Sequence, residues 1–289
     1  MYPHRHDIEN FDDKFDESEV FDEIYDKEFV NLYEIIYRDY ADINHDFKIM
    51  NDLSIKPIKN KDEINILVAG CGVGKMCKKI KENYKNIFGL DISENILLKA
   101  QSLHPNIKFI RGNLIKQKIF NEGTFSHIIL DERTLYYNDI DKMKEIMDNC
   151  FHWIKEDGFL IVPIYDPTRL QLAARHYSTK YIDNKGNIHG FTYLNDFSHD
   201  CYYIKDEQKP DFIHYYDKIV LPDGKYRIKK TTFCIPPKEK TYDLIMSSGF
   251  TIFHKENIKL QIVGGYEFVI FRKISTISTV DEILKKNSV

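Results

Sequence analysis

The chain has 289 residues, 43% of them apolar, and a formal net charge of −4 from 41 basic and 45 acidic side chains. That is ample for a buried core, and the mixed, slightly acidic balance leaves no basic stripe for nucleic acid. Five scattered cysteines (71, 77, 150, 201, 234) form no Cys-x-x-Cys; together with the absence of a signal-peptide pattern or a bilayer-length apolar run, this predicts a reducing, cytoplasmic setting, no metal cage and no membrane.

Residues 1–24 are acidic, with Asp12-Asp13, Asp16-Glu17 and Asp22-Glu23, and read as a frayed arm. From Phe21 the spacing turns helical: Phe21, Ile24, Tyr25, Phe29, Leu32, Tyr33, Ile36 and Tyr37 predict one or two helices, and residues 42–55 another. Ile66 to Ala69 is a short apolar run, hence a buried strand. Gly70, Gly72 and Gly74 follow. Lys75 to Tyr84 then reads as a helix with Met76, Ile80 and Tyr84 on one side. A strand, a glycine turn and a helix start make a place where a ligand lies against bare backbone.

The turn is not a P-loop, because Ala69 and Met76 stand where a glycine and a hydroxyl are required. It is not a dinucleotide fingerprint, because Lys75 stands where the third glycine is required. A second run, Asn86 to Asp91, ends in an acid able to accept from both hydroxyls of a ribose. Further runs are Ile107 to Asn113, Phe125 to Asp131 and Phe159 to Tyr165. An amphipathic segment from Ile140 to Ile154 and the turn Glu156-Asp157-Gly158 precede the last of them. Strand–helix alternation of this kind predicts an α/β fold with a doubly wound, mostly parallel sheet.

The ordered set Ala69-Gly-Cys-Gly-Val-Gly74, Gly89-Leu-Asp-Ile-Ser93, Arg111-Gly-Asn113, Asp131 with Tyr136-Tyr137, Ile154-Lys-Glu-Asp-Gly158, Ser248-Gly-Phe250 and Gly265 to Phe271 resembles the class I S-adenosylmethionine-dependent methyltransferases. The resemblance covers roughly residues 60–166 and 241–273. It implies a Rossmann-like sheet with its last strand antiparallel, S-adenosyl-L-methionine as cofactor and S-adenosyl-L-homocysteine as product. It further implies cofactor binding by Ala69, Gly70, Cys71, Gly72, Gly74, Asp91, Ile92, Gly112, Asn113, Leu114 and Asp131, with Tyr33 closing from the N-terminal helices. Val68 departs from the pattern, standing where the family has an acid that helps hold the turn and the methionine ammonium. Asn113 replaces another acid, and its amide oxygen retains the ability to accept from the adenine amino group. The Cys-x-x-x-Cys-x-x-Cys cradle of radical enzymes using the same cofactor is absent.

Residues 167–240 interrupt this pattern. A helical opening from Pro167 to Arg175 gives way to alternating runs at 190–194, 200–204, 212–221 and 225–234, with Pro222-Asp-Gly224 as a hairpin turn and Asn184 to Asn187 as another. These predict a small antiparallel β-sheet inserted as a cap on the side where open α/β sheets bind ligands. The expected division is an arm (1–24), a cofactor-binding domain (25–166 with 241–273), the cap (167–240) and a tail (274–289) with a short helix around 280–285. A dimerisation patch, giving a homodimer through the inserted sheet, is the competing reading of the insertion.

A sulfonium methyl group is already electrophilic, so the main task is to hold a nucleophile in line and exclude water. A neutral amine needs no base; a hydroxyl does. Candidate polar groups near the methyl are Asp166 and His176 first, then Tyr177, Tyr181, His189, Tyr193, Asp196 and His199. Residues 131–137 contain no Asn/Asp-Pro-Pro-Tyr, which lowers the odds of a DNA or glutamine methylase. The leading expectation is methyl transfer to an O or N atom of a small molecule. An RNA (cap guanine-type) methyltransferase and a non-catalytic cofactor-binding subunit stay open beside it.

Overall fold

The structure, a computed structural model, describes Val30 and residues 48–56, 58–130, 133–167, 179–182, 188–194, 197–220, 224, 226–259 and 265–274. The glycine turn follows β1 (Asn65–Ala69) and leads into α1 (Lys75–Lys81); then come β2 (Asn86–Asp91), α2 (Glu94–Leu103), β3 (Lys108–Arg111), β4 (Phe125–Leu130), α3 (Ile140–Trp153) and β5 (Ile154–Tyr165). After the insertion, α4 (Lys238–Ser247), β11 (Phe250–Lys259) and β12 (Gly265–Lys273) complete the first sheet. Its order is β11-β12-β5-β4-β1-β2-β3. β12 runs antiparallel to both its neighbours and the remaining pairs are parallel.

Alternation along each strand feeds two cores. Leu67, Ala69, Ile128, Leu130, Leu160 and Val162 face a layer containing Met143, Ile146, Met147, Cys150 and Trp153 of α3 and Leu244 and Ile245 of α4. Ile66, Val68, Ile87, Ile129 and Ile161 face the other layer, with Met76, Cys77 and Ile80 of α1 and Ile96 and Leu97 of α2. A parallel sheet covered on both faces needs such continuous apolar strands. The helices start where their sequence dictates: Ser93 accepts from Ile96 N at 3.4 Å and Asp139 from Lys142 N at 3.0 Å, each satisfying an orphan amide of the first turn. The doubly wound sheet with its antiparallel last strand is therefore as expected.

The insertion forms a second sheet of five strands, ordered β10-β9-β8-β7-β6. They are β6 (Thr179–Ile182), β7 (Ile188–Leu194), β8 (Phe197–Lys205), β9 (Phe212–Val220) and β10 (Tyr226–Cys234), antiparallel throughout. β6 was not among the expected strands; four residues are too few for a periodic signal. β5 starts at Ile154, ahead of the expected Phe159, because Ile154 pairs with Phe125 before a register shift. Asp157 takes up that irregularity at φ 61. Residues 51–55 are π-helical, and the α1 segment stops at Lys81. The N-terminal arm and most of its helices, the helix beyond Pro167, the turn at 184–187 and the tail helix lie outside the described residues.

Candidate active site

The carboxyl ends of β3, β2, β1 and β4 lie side by side in that order. With about 4.8 Å between neighbouring strands they span about 14 Å, a platform for an extended ligand.

At the centre is Asp91, the last residue of β2, largely buried. Its Oδ2 accepts from Gly72 N at 3.1 Å and its Oδ1 from Ser93 N at 3.0 Å. A carboxylate has about four acceptor positions; the amides of Gly72, Ser93 and Ile92 use part of that capacity to hold the turn, and the rest can serve a ligand diol. Burial pushes the Asp91 pKa up, while the backbone amides of Ser93, Gly72 and Ile92 pull it back. The neighbouring turn is pinned to β2 as well, Gly70 N and Cys71 N both donating to Leu90 O at 2.8 and 3.0 Å.

Two glycines of the turn are dictated by geometry. Gly70 has φ +72, and a Cβ there would lie 1.7 Å from Oγ1 of Thr134. Gly74 has φ +82, and a Cβ would meet the Phe109 ring at 2.8 Å and His104 at 2.9 Å. Left-handed dihedrals of this kind suit glycine. Cys71 is buried, and Ala69 and Val68 are fully buried in opposite cores.

Toward β3, Ile92 is 58% exposed beside Asp91, an apolar surface at the mouth of the turn. Gly112 N donates to Asp91 O at 3.0 Å, tying the β3 loop to β2. Asn113 Oδ1 accepts from Ile115 N at 3.1 Å, so part of its acceptor capacity holds its own loop. Leu114 is buried, and its carbonyl accepts from Asn149 of α3 at 2.8 Å. Tyr33 and Asp131 lie outside the described residues.

Toward β4, a short 3-10 turn, Thr134–Tyr137, crosses above the glycine turn. Tyr136 anchors it from inside the core: its hydroxyl donates to Pro163 O at 3.1 Å and accepts from Tyr165 N at 3.2 Å, and burial pushes its pKa far up. Beside it, the Arg133 guanidinium sits over the rings of Tyr215 and Phe233 at 5.9 and 5.2 Å, and Tyr137 packs edge-on to Phe233 at 4.9 Å. These contacts seat the inserted sheet on the loop after β4.

The face of the inserted sheet turned this way is apolar near the root, with Cys201, Tyr203, Ile213, Tyr215 and Phe233 continuing the main core. Further along it becomes ionisable. Asp217, fully buried, is hydrogen-bonded to His199, itself buried. Lys229 lies opposite Asp217 in register. Burial pushes the Lys229 pKa down to about 8; Asp217 opposes the shift and the Arg133 charge adds to it. Only His199 of this group stood among the sequence candidates. Asp217 and Lys229 are 12 residues apart on neighbouring strands, and no local motif marks such a pairing.

Asp166, just past the end of β5, is half-buried; the pKa of Lys238 at the start of α4 is raised chiefly by its hydrogen bond to the Glu267 carboxylate, with the Asp166 charge a small addition. Asp166 stands where the chain leaves the first sheet for the insertion, and Lys238 where the chain has returned. His176 lies outside the described residues. No cluster of His, Cys, Asp or Glu able to hold a metal occurs among the described residues, and no described helix is long and apolar enough to cross a membrane.

Residues 66–158 match a family described as the methyltransferase domain. Among curated proteins, one named as a methyltransferase from Geobacillus sp. (strain WCH70) is 24% identical over 109 residues, 36% of this chain and 44% of that protein. The match thus spans less than half of that relative's length. Among solved structures, an S-adenosylmethionine-dependent methyltransferase from Clostridium acetobutylicum ATCC 824 superposes with a TM-score of 0.63 at 16% identity, covering 86% of this chain and 98% of that one. CalS10 of Micromonospora echinaspora, an amino pentose methyltransferase solved with S-adenosylmethionine bound, gives 0.63 at 12% identity, covering 88% and 99%. At these identities the likeness is one of fold.

Proposed function

Residues 66–158 being a methyltransferase domain, within a chain that has the fold of the class I S-adenosylmethionine-dependent methyltransferases, we propose that the protein transfers the methyl group of S-adenosylmethionine to an O or N atom of a small-molecule acceptor. The observation that carries this reading is the line of groups across the strand ends. It runs from exposed Ile92 and the Gly112–Asn113 loop, past the Asp91 carboxylate, to the glycine turn, where the Thr134 side chain stands against Gly70. Adenine lies against Ile92 and the loop 112–114, the ribose diol on Asp91, and the thioether and amino-acid tail along residues 69–74. Asp131 and Tyr33 complete the set by resemblance.

The acceptor lies under the inserted sheet. Arg133 of the loop after β4 reaches up to Tyr215 and Phe233 of that sheet, the His199–Asp217–Lys229 group lies further along it, and a sheet seated there excludes water. CalS10, with its amino pentose acceptor, supports a small polar molecule as the acceptor class. With an amine acceptor, its lone pair attacks the methyl carbon, the carbon–sulfur pair returns to sulfur, and the product sheds a proton to solvent. With a hydroxyl acceptor, Asp166 at the root of the insertion, or His176, takes the proton. A homodimer contact is the competing reading of the inserted sheet, and sedimentation at several concentrations tests it directly.

The test is transfer of labelled methyl to fractionated small metabolites and, in parallel, to capped transcripts. Labelled metabolite supports the proposal; labelled transcript alone overturns it in favour of an RNA substrate. Binding of S-adenosylhomocysteine without any transfer favours a non-catalytic subunit.

A further inference from the structure

β1 brings only apolar side chains to the turn. Val68 and Ala69, its last two residues, are both fully buried, one in each core. The amino-acid end of the cofactor carries an ammonium and a carboxylate, and both need partners once they leave water. Moving across the strand ends from β3 to β4, the adenosine takes up β3 and β2, so this charged end lies at β1 and β4. There the nearest side chain to Gly70 is Thr134. Its Oγ1 is 1.7 Å, and its Cβ and Cγ2 are 2.7 Å, from where a Cβ on Gly70 would stand.

We propose that the Thr134 hydroxyl is the side-chain hydrogen-bonding group for the amino-acid end of S-adenosylmethionine, serving at the turn in place of a carboxylate from β1. The inference rests on the cofactor reading above. Three observations support it. Thr134 is half-buried, at the rim of the turn. Among the described residues its hydroxyl has no hydrogen-bond partner, while its backbone oxygen accepts from Asn138. Its position is fixed from below by Tyr136, whose hydroxyl bridges two backbone groups of β5. A hydroxyl both donates and accepts, so it suits either a carboxylate or an ammonium. Being neutral, it avoids placing a bare charge beside the apolar end of β1.

Calorimetric titration of the full chain with S-adenosylhomocysteine and with 5′-methylthioadenosine tests this, since the second ligand keeps the adenosine and thioether but lacks the amino-acid tail. Thr134→Val, nearly isosteric, is expected to weaken S-adenosylhomocysteine roughly 10- to 100-fold, the range of one hydrogen bond to a charged group. It is expected to leave methylthioadenosine within about twofold. Thr134→Ser, which keeps the hydroxyl, is expected to retain the preference for the longer ligand. Equal weakening of both ligands by Thr134→Val, or no weakening of either, overturns the inference while the cofactor reading stands. A wild-type chain that binds neither ligand removes both.

Discussion

Replacing Gly70 by alanine tests the contact between the glycine turn and the loop after β4. The backbone at Gly70 has φ +72, and the new methyl would fall 1.7 Å from Thr134 Oγ1 and 2.7 Å from its Cβ and Cγ2. A left-handed dihedral costs an L-residue about 1–2 kcal/mol, and forcing apart a packed contact adds about 1–3 kcal/mol. The variant should therefore be destabilised by about 2–5 kcal/mol, and its melting midpoint should fall by about 5–15 °C for a chain of this size. Gly224→Ala is the control, because φ there is +82 but nothing lies within 4 Å. It should lose only the dihedral part, about 1–2 kcal/mol. Circular dichroism melts of wild type, Gly70→Ala, Thr134→Gly and the double variant complete the experiment. Removing the Thr134 side chain leaves Gly70→Ala only its dihedral cost, so the cycle should show a favourable coupling of about 1–3 kcal/mol. A Gly70→Ala midpoint no lower than that of Gly224→Ala, or zero coupling, would refute the packing argument.

Other outcomes follow from the same geometry. Asp91→Ala removes the proposed ribose contact together with the hydrogen bonds from Gly72 N and Ser93 N, and calorimetry should show S-adenosylhomocysteine weakened by about 1.5–3 kcal/mol, one to two decades; unchanged affinity rules out the ribose assignment. Fully buried His127 has its pKa pushed from 6.5 down to about 4, chiefly by burial. The unfolded chain therefore gains a proton near pH 6.5 that the folded chain refuses until about 4, and stability should fall by roughly 3 kcal/mol as pH drops through that window. His127→Gln should flatten this limb in denaturant titrations run at each pH. In the cap, Asp217→Asn strips the charge from a fully buried carboxylate opposite Lys229 and should cost about 3–5 kcal/mol in urea unfolding. Adding Lys229→Met should restore a measurable part of it.

Sheet and turn were legible early for a specific reason. Ile66 to Ala69, Ile128 to Leu130 and Phe159 to Tyr165 are continuous apolar runs because both faces of a parallel sheet are covered, and that need is written locally in each strand. The three alternate glycines and the acid at position 91 are equally local. Four of the cap strands announced themselves by alternation, while β6 was too short to do so.

What the sequence determined by itself is thus the repeating α/β pattern, the glycine turn at 70–74 and the carboxylate beside it, since each depends on neighbours in the chain. Only the tertiary structure decided what stands opposite that turn. Thr134 reaches Gly70 from 64 positions away, Arg133 lies over rings of β9 and β10, and Asp217 meets His199 and Lys229 across two strand pairs. Such pairings arise from strand order and from the register of an inserted sheet. A threonine, an arginine or a lone aspartate carries no periodicity to reveal the partner that folding will bring to it.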